Sequence, residues 1–166
     1  MMLEKYLEQV SFGFHTTQRV RLLLDQNGKL SCEVHPFNLT EIPQRVKASL
    51  AREPVDSKNI FLFHKTTQRD IYESARRGFE ELDDVLLYNE KGELTEFTIG
   101  NLVVELNGQL LTPPISSGVL AGTFRSHLME TGQIVERTIR IQQLTRCTKI
   151  FRVNSIRRWQ EVEIQK

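Results

Sequence analysis

A chain of 166 residues with 22 Lys and Arg against 21 Asp and Glu has a formal net charge of +1, and about a quarter of it, 26%, is charged. That balance leaves no basic footprint for nucleic acid, and the longest apolar runs fall far short of the ~20 residues a membrane helix needs. The length suits one compact unit with a real core, so the expectation is a soluble, cytoplasmic protein with no nucleic-acid and no membrane partner.

The first stretch, "MMLEKYLEQVSFGFH", mixes acidic with apolar residues and lacks the positive-then-apolar order of a secretory leader. Leu3, Tyr6, Leu7 and Val10 recur at helical spacing, which predicts a short amphipathic helix. "VRLLLDQNGKLSCEV" then reads as a hairpin, because Asn27-Gly28 suits a turn with positive φ at both central residues. Pro36 ends it. Residues 40–51 are mixed and helix-tolerant, and "REPVDSKN" is a loop broken by proline.

"IFLFHKTTQRDIYESARR", residues 60–77, predicts a buried strand over 60–63 that delivers Lys65 at its end. A helix follows, capped by Thr66 or Thr67, with Ile71, Ala75 and Phe79 on one face. Residues 85–111 predict a meander: "VLLY", a turn over 89–92, "LTEFTIGNLVVEL", an Asn107-Gly108 turn, and "QLLT". The loop "PPISSGVLAG" opens into the helix "TFRSHLMET", closed by Gly132. "IVERTI", a short helix around "QQLTR", "KIFRV" and "WQEVEI" complete an α+β chain whose curved sheet is mostly antiparallel.

Cys32 and Cys147 stand far apart, and His15, His35, His64 and His127 have no paired-ligand spacing, so no metal site is expected. The cysteines fit free thiols of a reducing compartment. Considered singly, other polar residues have two readings. Lys65 reads as a solvated lysine, and Glu96 as the polar face of an alternating strand. Gly118 and Gly122 either shape a turn or open a helix whose first amides hold an anion. Asn154 and Ser155 read as a turn cap.

In order along the chain, these segments resemble the class IV aminotransferases, the pyridoxal-phosphate enzymes of fold type IV, and within them the aminodeoxychorismate lyases. The segments carrying the resemblance are "FHKTTQRDIYESAR", "VLLYNEKGELTEFTIGNLVVELNGQLLTPPISSGVLAGTFR" and "VNSIRRW", and the likeness covers residues 19–165. It implies the large C-terminal domain of the D-amino-acid-aminotransferase-like fold, a pseudo-barrel with packed helices, over residues 19–166. Residues 1–18 are then an extension in place of the family's small N-terminal lobe.

The resemblance further implies that pyridoxal 5'-phosphate is the cofactor and that Lys65, in a buried site, condenses with its aldehyde. A lysine amine with an ordinary pKa of about 10.4 is scarce as the free base near neutrality, so a dry site or a nearby cation is expected to favour it. By the same resemblance Glu96 pairs with the ring nitrogen, and Gly122, Thr123 and Phe124 cradle the phosphate at a helix start. Asn154 and Ser155 supply a second polar contact to it. The implied activity is elimination of pyruvate from 4-amino-4-deoxychorismate to give 4-aminobenzoate in folate biosynthesis. The alternatives are an aminotransferase acting on branched-chain or D-amino acids, and a catalytically silent half-domain that needs a partner. The implied substrate is a small amino-acid-like molecule, and the implied assembly is a homodimer or a union with a separate N-terminal half. Of the arginines between Arg137 and Arg158, some can meet substrate carboxylates while most form a solvated face. Arg158 stands where the family has glycine, which predicts strain if that position needs positive φ.

Overall fold

In the computed structural model, residues 2–165 are described, and the chain divides between Ile42 and Pro43 into two compact units. The first unit contains helix α1 (Met2–Ser11) and an antiparallel hairpin of β1 (Gln18–Leu24) and β2 (Leu30–Pro36). Its helix follows the apolar spacing. Its turn departs from expectation: Gly28 alone has positive φ, 78°, and Asn27 does not. Asp25 is the reason, because its Oδ1 accepts from Asn27 N at 2.9 Å and Lys29 N at 2.8 Å, stretching a two-residue turn into a longer loop. No described side chain of this unit is fully buried.

The second unit closes six strands into a barrel. They are β3 (Arg45–Leu50), β4 (Asp84–Tyr88), β5 (Leu94–Phe97), β6 (Gly100–Leu106), β9 (Lys149–Asn154) and β10 (Arg158–Ile164). Their order is β5-β4-β3-β10-β9-β6, and β6 pairs back onto β5. Pairings of β3 with β10 and with β4 are parallel, and the other barrel pairings are antiparallel. Outside the barrel, β7 (Gln109–Thr112) continues from β6, and β8 (Val135–Glu136) adds two residues in parallel.

Alternation fills this barrel. Val46, Ala48, Leu86, Leu102, Val104 and Val162 pack together in one cluster, while Val85 and Leu87, on the other face of β4, meet helix α2 (Asp70–Arg76). Val103 and Val153 likewise pack on Phe124 and Leu128 of helix α3 (Thr123–Glu130). That double cover explains why β4 is almost wholly buried.

Four local expectations are corrected. Residues 45–50, read as helix-tolerant, are strand β3, whose alternating Val46 and Ala48 are buried. Residues 60–62 are a single 3-10 turn rather than a strand: Asn59 caps it by accepting from Phe61 N, and of the apolar run only Leu62 is buried. Neither Thr66 nor Thr67 caps α2, which begins after Arg69, and Thr66 Oγ1 instead accepts from Gln68 N at 3.1 Å. "LTEFTIGNLVVEL" is two strands, reversed at residues 98–99, because Thr98 N turns inward to Val85 O and Asp84 Oδ1.

Other expectations stand. Asn107 and Gly108 both have positive φ, 52° and 75°, as the primed two-residue turn requires. Gly132, at φ 69°, closes α3 with Gln133 N reaching Leu128 O and Gly132 N reaching Met129 O, the paired bonds of a left-handed cap.

Candidate active site

A cleft of about 410 Å³ opens at one end of the barrel, and all seven site residues named from sequence line it: Lys65, Glu96, Gly122, Thr123, Phe124, Asn154 and Ser155. They come from the loop before α2, from β5, from the start of α3, and from the last residue of β9 and the turn after it.

Glu96 forms the buried part of the site, with 3% of its surface exposed. It pairs directly across the β5–β6 hairpin with Asn101, whose Nδ2 donates to Glu96 Oε2 at 3.0 Å. Tyr72 Oη donates to Glu96 Oε1 at 2.9 Å, and Leu120 N donates to Oε2 at 3.3 Å. Burial pushes this carboxyl up to about 8, against the pull of those donors and of the Lys65 and Arg69 cations. Tyr72 is itself held well above the ordinary phenol range by burial and by the neighbouring carboxylate.

Lys65 departs from its expected setting. It lies in irregular backbone between the 3-10 turn and α2, and its side chain is exposed rather than buried. The amine still stands near enough to Glu96 to act on its charge.

At the other end of the cleft, Gly122 N-caps α3 with φ −66°, so its need for glycine is not conformational. A Cβ there would come within 2.1 Å of Asn101 Oδ1. The first-turn amides of α3 have no intrahelical acceptors and meet the positive end of the helix dipole. Beside them the hydroxyls of Thr123 and Ser155 lie 2.6 Å apart. Asn154 builds the turn that presents Ser155: its Oδ1 accepts from Ile156 N and Arg157 N, and its Nδ2 donates to Ile99 O.

Sequence reading missed Arg69, Tyr72 and Asn101. Arg69 lines the cleft with its guanidinium 4.7 Å over the Tyr72 ring, and its Nη2 donates to Thr98 O at 2.7 Å. Asn101 left a faint signal, a lone amide at the head of the apolar run "NLVVEL". Tyr72 left none, since a tyrosine on an apolar helix face reads as core. Of the arginines between Arg137 and Arg158, Arg157 lines the cleft, while Arg152 is buried against Asp84. Arg158 does adopt positive φ, 58°, and stacks its guanidinium 4.8 Å from the Phe124 ring centre.

A family model described as amino-transferase class IV matches residues 6–164. The chain belongs to the class IV aminotransferases. It is 37% identical over 124 residues to a Schizosaccharomyces pombe protein named "Putative aminodeoxychorismate lyase", a match covering 71% of this chain and 53% of that one. It is 32% identical over 127 residues to the aminodeoxychorismate lyase of Saccharomyces cerevisiae, covering 64% of this chain and 34% of that one. Among solved structures, a "Putative amino-acid aminotransferase" from Mesorhizobium loti superposes with a TM-score of 0.88 at 32% identity. That match covers 98% of this chain and 80% of the other. The chain thus spans about half or less of the length of these curated relatives.

Class IV aminotransferases work with pyridoxal 5'-phosphate. The donor set suits it. A pyridine nitrogen that must keep its proton calls for a desolvated carboxylate, an aldehyde for an amine, and a phosphate ester for a cradle of amides and hydroxyls. The cleft presents these as Glu96, Lys65, and the α3 start with Thr123 and Ser155.

Proposed function

We propose that this chain carries the reaction centre of an aminodeoxychorismate-lyase-type protein, which eliminates pyruvate from 4-amino-4-deoxychorismate and leaves 4-aminobenzoate for folate synthesis. Pyridoxal phosphate would supply the aldehyde that captures the substrate amine and the ring that withdraws electrons from the carbon bearing it. Glu96 would hold the ring nitrogen's proton, and Gly122, Thr123, Phe124 and Ser155 would hold the phosphate, with Asn154 fixing the turn that carries Ser155. Lys65 would hold the cofactor at rest and then act as general base on the amine-bearing carbon. The electron pair released there expels the enolpyruvyl oxygen, and a proton returned to the leaving group gives pyruvate. Formation of an aromatic ring makes the elimination strongly downhill.

The observation that carries this reading is the buried carboxylate of Glu96 in a cleft shared with Lys65 and the start of α3. The lyase names of the two curated relatives favour elimination over transamination. An amino-acid aminotransferase is the second reading, favoured by the 32% identity to the Mesorhizobium loti protein. In either case the exposed Lys65 supports a site covered by a second copy or by a separate N-terminal half, because its free base needs a dry setting. The free cysteines Cys32 and Cys147 support a reducing, cytoplasmic setting, and no described helix is long and apolar enough to cross a membrane.

The test adds pyridoxal phosphate to the purified chain, reduces with borohydride and maps the modified peptide by mass. The reading expects a phosphopyridoxyl group on Lys65, absent in Lys65→Ala, and pyruvate released from 4-amino-4-deoxychorismate. Keto-acid-dependent loss of an amino acid, with no pyruvate from 4-amino-4-deoxychorismate, would favour the second reading. A wild-type chain that takes no label at saturating pyridoxal phosphate sinks both, because capture of the imine by borohydride needs only the amine and cradle of this chain and not the cover that turnover requires.

A further inference from the structure

We propose that Tyr72 is a positioning residue for Glu96: its hydroxyl, donated to one carboxylate oxygen, keeps that carboxylate the weaker base, so that a proton shared with a ring nitrogen stays on the nitrogen. This rests on the reading of Glu96 given above and extends it to a residue outside the seven assigned from sequence. Tyr72 sits on α2 with its ring in the apolar cluster of Ala51, Val55, Leu62, Val85 and Leu87. Only its oxygen reaches out of that cluster, to Glu96 Oε1 at 2.9 Å. Asn101 and the Leu120 amide occupy Oε2, so the two oxygens are clamped from opposite sides by different elements.

The direction of the bond is fixed. The phenol stays protonated through the neutral range, so wherever Glu96 is ionised the hydroxyl donates and the carboxylate accepts. A hydrogen bond to a charged acceptor in a buried site stabilises the ionised form. The charged groups facing Glu96 act in the same direction: Lys65 from the loop and Arg69 from the start of α2, while β6 and the segment before α3 contribute the neutral donors Asn101 and Leu120 N. Arg69 also lies over the Tyr72 ring, where its charge makes the phenol a stronger donor. Without the Tyr72 hydroxyl, burial would act against one donor fewer, and Glu96 would compete harder with the ring nitrogen for the proton they share.

The conservative variant is Tyr72→Phe, which keeps the ring in its cluster and removes one oxygen. In the cofactor-free chain labelled with ¹³Cδ-glutamate, and assigned through Glu96→Gln, the Glu96 resonance should titrate near 8 in the wild type. In Tyr72→Phe its midpoint should rise by about one pH unit, the size set by one hydrogen bond to a charged group. An unchanged midpoint overturns the proposal. Should Tyr72→Phe fail to fold, the wild-type and Glu96→Gln chains carrying 3-fluorotyrosine supply the converse measurement. The ¹⁹F shift of Tyr72 in the wild type should step at the pH where Glu96 titrates, and the step should vanish in Glu96→Gln; no step in the wild type overturns the proposal equally. With cofactor bound, ¹⁵N in the pyridine ring should report a smaller protonated fraction in Tyr72→Phe. Failure of borohydride to label Lys65 in the wild type would sink the functional reading, while both cofactor-free titrations would still decide whether Tyr72 tunes Glu96.

Discussion

Asn101 and Gly122 are in a contact that only glycine permits: a Cβ on Gly122 would stand 2.1 Å from Asn101 Oδ1, while the same amide's Nδ2 holds Glu96 and Leu120 O. One side chain thereby spaces the buried carboxylate from the start of α3. Gly122→Ala must push Asn101 aside and strip a donor from Glu96. The expected cost is about 1–3 kcal/mol in cofactor affinity, the range for breaking a buried polar contact, or roughly a 5- to 150-fold rise in the Kd for pyridoxal phosphate. Fluorescence titration checks it, and Gly118→Ala is no substitute control because its positive φ of 91° adds backbone strain.

Folding stability of the cofactor-free chain should fall as pH rises through the neutral range. Glu96 titrates near 8 when folded and, like any exposed carboxyl, near 4.3 when unfolded, so the folded state holds its proton more tightly. Its contribution is complete below the unfolded value and is lost as pH climbs through about 8, a change on the order of a few kcal/mol. Glu90 works in the opposite sense: the Ser57 amide and hydroxyl hold its carboxyl down to about 2, so its contribution is present above the unfolded value and lost as pH falls through about 2. Thermal melts at pH 5.5 and 8.5 should show the wild type losing more than Glu96→Gln. Equal losses would remove Glu96 as the cause.

The seven residues that meet in one cleft were named through the resemblance that their segments, taken together and in order, bear to a known family; considered singly, each had a second reading. Their surroundings were not legible. The run over 60–63 looks like a strand to any apolar-run rule, yet Asn59 caps it into a 3-10 turn and leaves Lys65 exposed. Strand β3 owes its place to parallel partners far along the chain, β10 and β4, which no local pattern encodes. Tyr72 meets Glu96 across 24 residues through closure of the barrel against α2, so its role is a fact of packing. The turn at 98–99 is likewise set by Asp84.

Arg158 offers a measurable conflict. A left-handed backbone costs a non-glycine residue roughly 1–2 kcal/mol, while an exposed guanidinium stacked on an aromatic ring returns about 0.5–1 kcal/mol. Arg158→Gly removes both the cost and the stack, and Arg158→Ala removes only the stack. Urea midpoints should therefore rank glycine at or slightly above the wild type and alanine below it. If alanine matches the wild type, the contact with Phe124 contributes nothing.

The cleft also rests on an ion pair beneath it. Arg152 Nη1 lies 2.7 Å from Asp84 Oδ2, with the side chains 3% and 0% exposed, and Gln160 Oε1 accepts two further bonds from the same guanidinium. The other oxygen of Asp84 accepts from Thr98 N, while Thr98 O accepts from Arg69, so the pair anchors the reversal that carries a cleft cation. Asp84→Asn keeps the volume but leaves a buried guanidinium without its counter-charge, which costs about 3–5 kcal/mol. Urea unfolding should show that loss. Hydrogen exchange at the Thr98 amide should quicken beyond what the global loss accounts for, because Asp84 Oδ1 is one of its two acceptors. Exchange that tracks global unfolding alone would mean that Val85 O suffices to hold the turn, and the link from the buried pair to Arg69 would fail.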